Sequence, residues 1–146
     1  MNRNMIATLF GLALMTPGAA LAQSAGGMIA RPPAGQGQVV FFRIGQHTDE
    51  MWSSCAVREG EGAAAVKLAT LGKHRYFVQP TTPGIHQYST KTEATDRLTL
   101  EIEAGETYFV ECRLGSGVVL QHSDLRPANE ADLIADKSKQ KPVTKR

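Results

Sequence analysis

The chain has 146 residues, 42% of them hydrophobic and 21% charged, with a formal net charge of +2. That length suits one ordinary domain, and the composition excludes a fully disordered or collagen-like chain. A charge this close to neutrality removes the electrostatic case for a nucleic-acid partner.

Residues 1–22 read as a secretory signal peptide. Arg3 supplies an early positive charge, residues 5–15 form an uncharged, mostly apolar run, Pro17-Gly18 ends any helix, and Ala20 and Ala22 put small residues where a signal peptidase reads. The apolar run is shorter than the roughly 20 residues of a spanning helix, and no later run is longer, so the mature chain is expected to carry no integral membrane span. Cleavage is expected after Ala22, which places the mature chain in the periplasm or outside the cell. No cysteine follows the cleavage point to take a lipid. In such an oxidising compartment Cys55 and Cys112 are expected to form one structural disulfide.

Residues 23–38 hold four glycines and Pro32-Pro33 and read as a flexible linker. The domain is expected over residues 39–137. Its first strand, 38–44, contains Val39-Val40-Phe41-Phe42, apolar on both faces, and so is expected to be covered on both sides. A second strand is predicted over 51–58, with Trp52 and Cys55, and Glu59-Gly60-Glu61-Gly62 is a turn. Residues 63–71 give a third, alanine-weakened strand, and 74–79 a fourth after the Gly72-Lys73 turn. Pro83-Gly84 fits the centre of a type II turn, and 85–91 follows as the fifth strand.

Residues 98–103 alternate, with Leu98, Leu100 and Ile102 on one face and Thr99, Glu101 and Glu103 on the other. Past Ala104-Gly105, residues 106–114 alternate again, setting Tyr108, Val110, Cys112 and Leu114 against Thr107, Phe109, Glu111 and Arg113. The short connector predicts an antiparallel hairpin. An eighth strand is predicted over 117–122, and a helix over 128–136 with Leu133 and Ile134 as its apolar stripe. Residues 138–146 read as a basic disordered tail. The sum is an all-β fold: an antiparallel β-sandwich of seven to eight short strands with one short C-terminal helix.

Reactive constellations are sparse. His47, His74, His86 and His122 show no paired zinc-ligand spacing. His122-Ser123-Asp124 has the residue types of a hydrolase triad, but strand neighbours point to opposite faces. Glu101 and Glu103 share a face and read as a solvated pair, and Gly60/Gly62 and Gly115/Gly117 read as turns. No metal or cofactor is expected. The leading reading is a non-enzymatic binding or interaction module. One alternative is a small metal-dependent or hydrolytic enzyme that assembles His74, His86 and His122 with Asp49 and Glu50; another is a carrier with an apolar cavity between its sheets.

Three stretches carry a family resemblance. Val39-Val40-Phe41-Phe42-Arg43 resembles the VYFYR opening strand of a group of bacterial envelope proteins, Pro83-Gly84-Ile85-His86 resembles their PGxH turn, and residues 98–110 resemble their LxLxxxAGxTYYV hairpin. The group is the bacterial domain of unknown function 2846, itself similar to the small sandwich modules called PEGA. The resemblance spans residues 38–136. It implies an antiparallel sandwich in an exported protein, with Pro83, Gly84, His86, Gly105 and Tyr108 as motif positions and no catalytic residue. His86 would then be half-buried and hydrogen-bonded. Many members look like lipoproteins, whereas this chain has no cysteine after the expected cleavage point. On the leading reading the expected partner is another envelope protein, met at loops or by strand pairing at a sheet edge.

Overall fold

A computed structural model describes residues 27–45, 54–91, 95–116, 121–135 and 140–143. The signal peptide, His47, Asp49, Glu50 and Trp52 lie outside the described residues. Nine strands are described: β1 (Gly37–Arg43), β2 (Cys55–Glu59), β3 (Val66–Leu71), β4 (Arg75–Thr81), β5 (Gly84–Lys91), β6 (Thr95–Ile102), β7 (Thr107–Ser116), β8 (Gln121–Ala128) and β9 (Lys141–Pro142), with a 3-10 turn at Gly62–Ala64 and one helix, α1 (Glu130–Ala135). They form a five-stranded sheet in the order β8-β7-β1-β4-β9 and a four-stranded sheet in the order β3-β2-β5-β6.

β1 is the centre of the molecule, and every one of its residues is buried. Its Val39 and Phe41 face the other sheet, in a core shared with Val57, Leu71, Tyr88, Ile102 and Val110. Its Val40 and Phe42 face the opposite way, onto a smaller cluster closed by Leu133 of α1 and by Met28 and Ile29. The expected cover on both faces of this strand is therefore present. Met28 and Ile29 belong to the stretch read as a linker; their side chains pack here, and Gln38 Nε2 donates to the Ala30 carbonyl at 2.6 Å. Gly37, where β1 begins, admits no side chain, because a Cβ there would lie 2.5 Å from the Glu103 carbonyl oxygen.

The structure corrects the hairpin expected around Ala104-Gly105. β6 lies in the four-stranded sheet and β7 in the five-stranded one, so the connector is a corner between layers. The alternation was right, since Ile102, Val110 and Cys112 are all buried. Two strands with inward apolar faces satisfy the same pattern whether they lie side by side or across a core from one another, and the periodicity does not separate the two. Gly105 takes φ 85° at this corner, with its N–H donating to the Gln36 carbonyl. Tyr108 Oη accepts from the Glu103 N–H at 3.1 Å and closes it.

The pairing is also less uniform than expected. β1 pairs with β7, and β4 with β9, in parallel; the other pairs are antiparallel. β8 runs through Pro127, past the point where a strand was expected to stop, because it is an edge strand and a missing N–H can face outward there. The helix is correspondingly shorter. Asn129 and Asp132 cap it reciprocally, each side chain accepting from the other's N–H. Leu133 is buried and Ile134 is 39% exposed, since adjacent helical residues diverge by about 100° and do not share a face. Within the expected basic tail, β9 adds to the sheet edge through N–H bonds from Lys141 and Val143 to the His74 and Tyr76 carbonyls.

Candidate functional site

The two cysteines are joined, Cys55 on β2 to Cys112 on β7, with Cα atoms 6.5 Å apart. The bridge crosses the core and ties one sheet to the other. Beside it Thr90 Oγ1 and Ser123 Oγ hydrogen-bond at 3.0 Å, again between the sheets.

The Pro83-Gly84 motif sits where the chain passes from β4 in one sheet to β5 in the other. It makes a bend with Gly84 at φ 135°, and His86 ties the bend back. Its Nε2 lies 2.8 Å from the Thr82 carbonyl oxygen and its Nδ1 2.8 Å from Glu59 Oε1. A carbonyl only accepts, so Nε2 carries a hydrogen. The ring stacks against Tyr88, two residues along the same face. Both resembling motifs, the one at Pro83–His86 and the one at Gly105–Tyr108, are thus inter-sheet corners where a glycine with positive φ is followed by a ring that bonds back to the bend.

Tyr88 is fully buried. Burial pushes its hydroxyl up to about 12, the negative charge of Glu59 adds to the rise, and the nearby Thr81 hydroxyl opposes it. Thr81 is close enough to act as a dipole, yet no hydrogen bond of full geometry reaches the Tyr88 oxygen. The sign follows: between pH 10 and 12 an unfolded chain releases a proton that the folded protein keeps, so stability falls across that window and is unaffected below it. Wild type is expected to lose roughly 2 kcal/mol more than Tyr88→Phe over this range. Urea midpoints measured at pH 9 and 11.5 check this; parallel losses in the two proteins refute it.

Of the constellation required by the enzyme alternative, Asp49 and Glu50 lie outside the described residues, and the three described histidines are not grouped. His74 is in the turn before β4, His86 is on β5 and His122 is on β8. Among the described residues no three His, Cys, Asp or Glu side chains are grouped as metal ligands. Ser123 is buried, with His122 and Asp124 on the opposite face of β8, so the apparent triad is divided by the strand pleat. Glu101 is exposed on the outer face of the four-stranded sheet. Phe41, Tyr88, Leu71 and Ile102 pack as one buried cluster between the sheets.

Two clefts differ in their charge. The larger, about 490 Å³, lies by β7 and β8 and includes Arg113, Arg126, Asp96 and Asp124. Its cations are already matched. Arg113 bonds Glu111 at 2.9 Å and Arg126 bonds Asp124. Cross-strand register sets Glu111 opposite Arg126 and Arg113 opposite Asp124. The Asp124 bond and charge, with Glu111 and Asp96 adding, hold Arg126 above its ordinary value.

The second cleft, about 400 Å³, lies on the outer face of the four-stranded sheet and has no carboxylate among its described lining residues. Register builds it. Lys67 on β3 is opposite Arg58 on β2, Arg58 is opposite Ser89 on β5, and Ser89 is opposite Arg97 on β6. One row across four strands thus reads Lys-Arg-Ser-Arg, with neighbours about 4.8 Å apart. Ser89 is small and 6% exposed, so the arginines on either side enclose a hollow above it. Lys91 flanks the hollow, and the turn from Gly60 to Ala65 forms its wall. Among the described residues none of these cations is ion-paired. Sequence reading missed the row because its members lie on separate strands. The signal available was an outward-facing basic residue on each of β2, β3 and β6.

No helix among the described residues is long and apolar enough to cross a membrane. Comparisons with family models, with curated proteins and with solved structures found no match.

Proposed function

We propose that this protein is an exported, non-enzymatic binding module of the bacterial envelope, and that the outer face of its four-stranded sheet is the binding surface. The observation that carries the reading is the cationic row around Ser89, which makes no ion pair among the described residues. Like charges set opposite each other across strands are destabilising, so a fold that sets Lys67 beside Arg58 and leaves both arginines unmatched among the described residues has a use for the charge. The signal-like leader and the disulfide support export, and the resemblance to the domain of unknown function 2846 supports an envelope setting.

The edges support a face rather than strand addition. β3 carries a bulge between Val57 and Arg58 of its partner, β6 carries Asp96, Arg97 and Glu101, β8 carries Pro127, and β9 is two residues long. Bulges, charges, prolines and short edges are the devices by which sheets resist further pairing.

The test compares wild type with an Arg58→Gln/Arg97→Gln variant in thermal shift against citrate and sulfate at matched ionic strength. Anions of this kind stabilise most folded proteins by exclusion, so the variant is the control. The expected result is a saturable rise in Tm for wild type that the variant lacks. Equal shifts in both proteins refute the binding surface. A secreted form that does not begin at Gln23 by mass refutes the leader.

A further inference from the structure

We propose that the cleft over Ser89 takes a phosphate monoester, with Arg58 and Arg97 gripping the phosphoryl oxygens from two sides and Lys91 from a third. This rests on the reading of that face as the binding surface and goes on to identify the ligand's charged group.

The first argument is charge. Three cations that make no ion pair among the described residues, Arg58, Lys91 and Arg97, border a cleft whose described lining holds no acid; Glu93, between the lining residues Lys91 and Thr95, lies outside the described residues. A single carboxylate carries one negative charge and leaves most of that field unanswered. A phosphate monoester carries about −1.5 to −2 at neutral pH and presents three strong acceptor oxygens. Glu61, beside the wall, lines a neighbouring hollow with Gln87 and Arg97; it makes no ion pair with Arg97 among the described residues.

The second argument is geometry. Arg58 and Arg97 are each in register with Ser89, which puts their Cα atoms about 10 Å apart, two strand spacings. Their long side chains stand on opposite sides of one small residue. Lys91 lies two residues from Ser89 on the same face, about 7 Å along the strand. All three cations thus border the one cleft from different sides. A planar carboxylate offers two oxygens in one plane, whereas a tetrahedral phosphoryl group offers an oxygen to each. Arginine forks suit phosphate oxygens especially well.

The third argument is size. A volume of about 400 Å³ is within the range of organic-ligand pockets and exceeds the needs of a bare phosphate. The alanines of the wall, Ala63 and Ala65, give the rest of the ligand a small apolar surface. The same phosphoryl chemistry occurs in a soluble ester and in a lipid headgroup, and the experiment distinguishes them.

The experiment is calorimetric titration of the disulfide-intact protein with inorganic phosphate, glycerol 3-phosphate and citrate, together with flotation on phosphatidylcholine vesicles with and without phosphatidate. Arg58→Gln and Arg97→Gln are compared with Arg113→Gln on the other sheet. Saturable binding of glycerol 3-phosphate is expected, tighter than inorganic phosphate, weakened about tenfold or more by each cleft variant and unchanged in Arg113→Gln. Binding only to phosphatidate vesicles, lost in the same variants, also supports the site and identifies the lipid source. Citrate binding that needs Arg58 and Arg97, without any phosphate ligand, overturns the phosphate assignment and leaves the face as the binding surface. Phosphate binding that Arg58→Gln and Arg97→Gln do not weaken overturns the assignment to this cleft. No saturable binding of any anion overturns both.

Discussion

Removing the Cys55–Cys112 bridge is expected to lower stability by about 4 kcal/mol. The two residues are 57 positions apart in the chain, and a loop of that length, closed in the unfolded state, has lost on the order of 4 kcal/mol of conformational freedom. Both cysteines are buried, so the Cys55→Ala/Cys112→Ala variant also gives up some packing where β2 meets β7. Two changes should appear together in urea. The midpoint falls, and the slope of the transition steepens because the released chain exposes more surface on unfolding. A loss under about 1 kcal/mol would mean that packing alone holds the two layers together.

Phe41→Ala is expected to cost about 3–5 kcal/mol. Phe41 is wholly buried at the middle of the central strand, and its ring meets Tyr88 of the opposite sheet edge-on, with centroids 5.0 Å apart and planes at 67°. The surroundings come from both sheets, which are fixed to each other by the disulfide, so the vacated space has little freedom to close. Phe42→Ala makes the useful comparison. It faces the smaller cluster, whose cover is a helix of six residues and a non-strand segment carrying Met28 and Ile29. That cover can settle inward, so a smaller loss is expected. Chemical denaturation of the two variants decides the matter, and a Phe42 loss equal to or above that of Phe41 would reverse the ranking of the two cores.

The pattern of burial was legible because it is local. The run Val39-Val40-Phe41-Phe42 announced a strand covered on both faces, and the alternation from Leu98 to Ile102 announced which side was dry. Placing two cysteines on inward positions followed from the same periodicity. The layer to which a strand belongs is not local. Leu98–Ile102 and Tyr108–Cys112 lie in different sheets and supply one core, and only the Gly105 corner, held by Gln36 and Tyr108, shows it. The eighth strand, expected to end at residue 122, runs on to Ala128, and its Pro127 is tolerated because it lies on an edge. The cationic row was hidden for a related reason. Arg58, Ser89 and Arg97 are spread over three strands, and their juxtaposition depends on register, which a bulge beside Arg58 further shifts.

The parallel pairing of β1 with β7 has a consequence for how the chain reaches its fold. The stretch Val39-Val40-Phe41-Phe42 is bordered by β4 on one side and by β7 on the other, and β7 is synthesised long after it. Until both neighbours arrive, four consecutive uncharged residues of high strand propensity stand without cover, the profile of a self-associating segment. Contacts between such distant parts of a chain form slowly, and the interval favours aggregation. Holding the nascent polypeptide apart from its copies, by a chaperone or by dilution, should therefore govern its yield more than the final stability does.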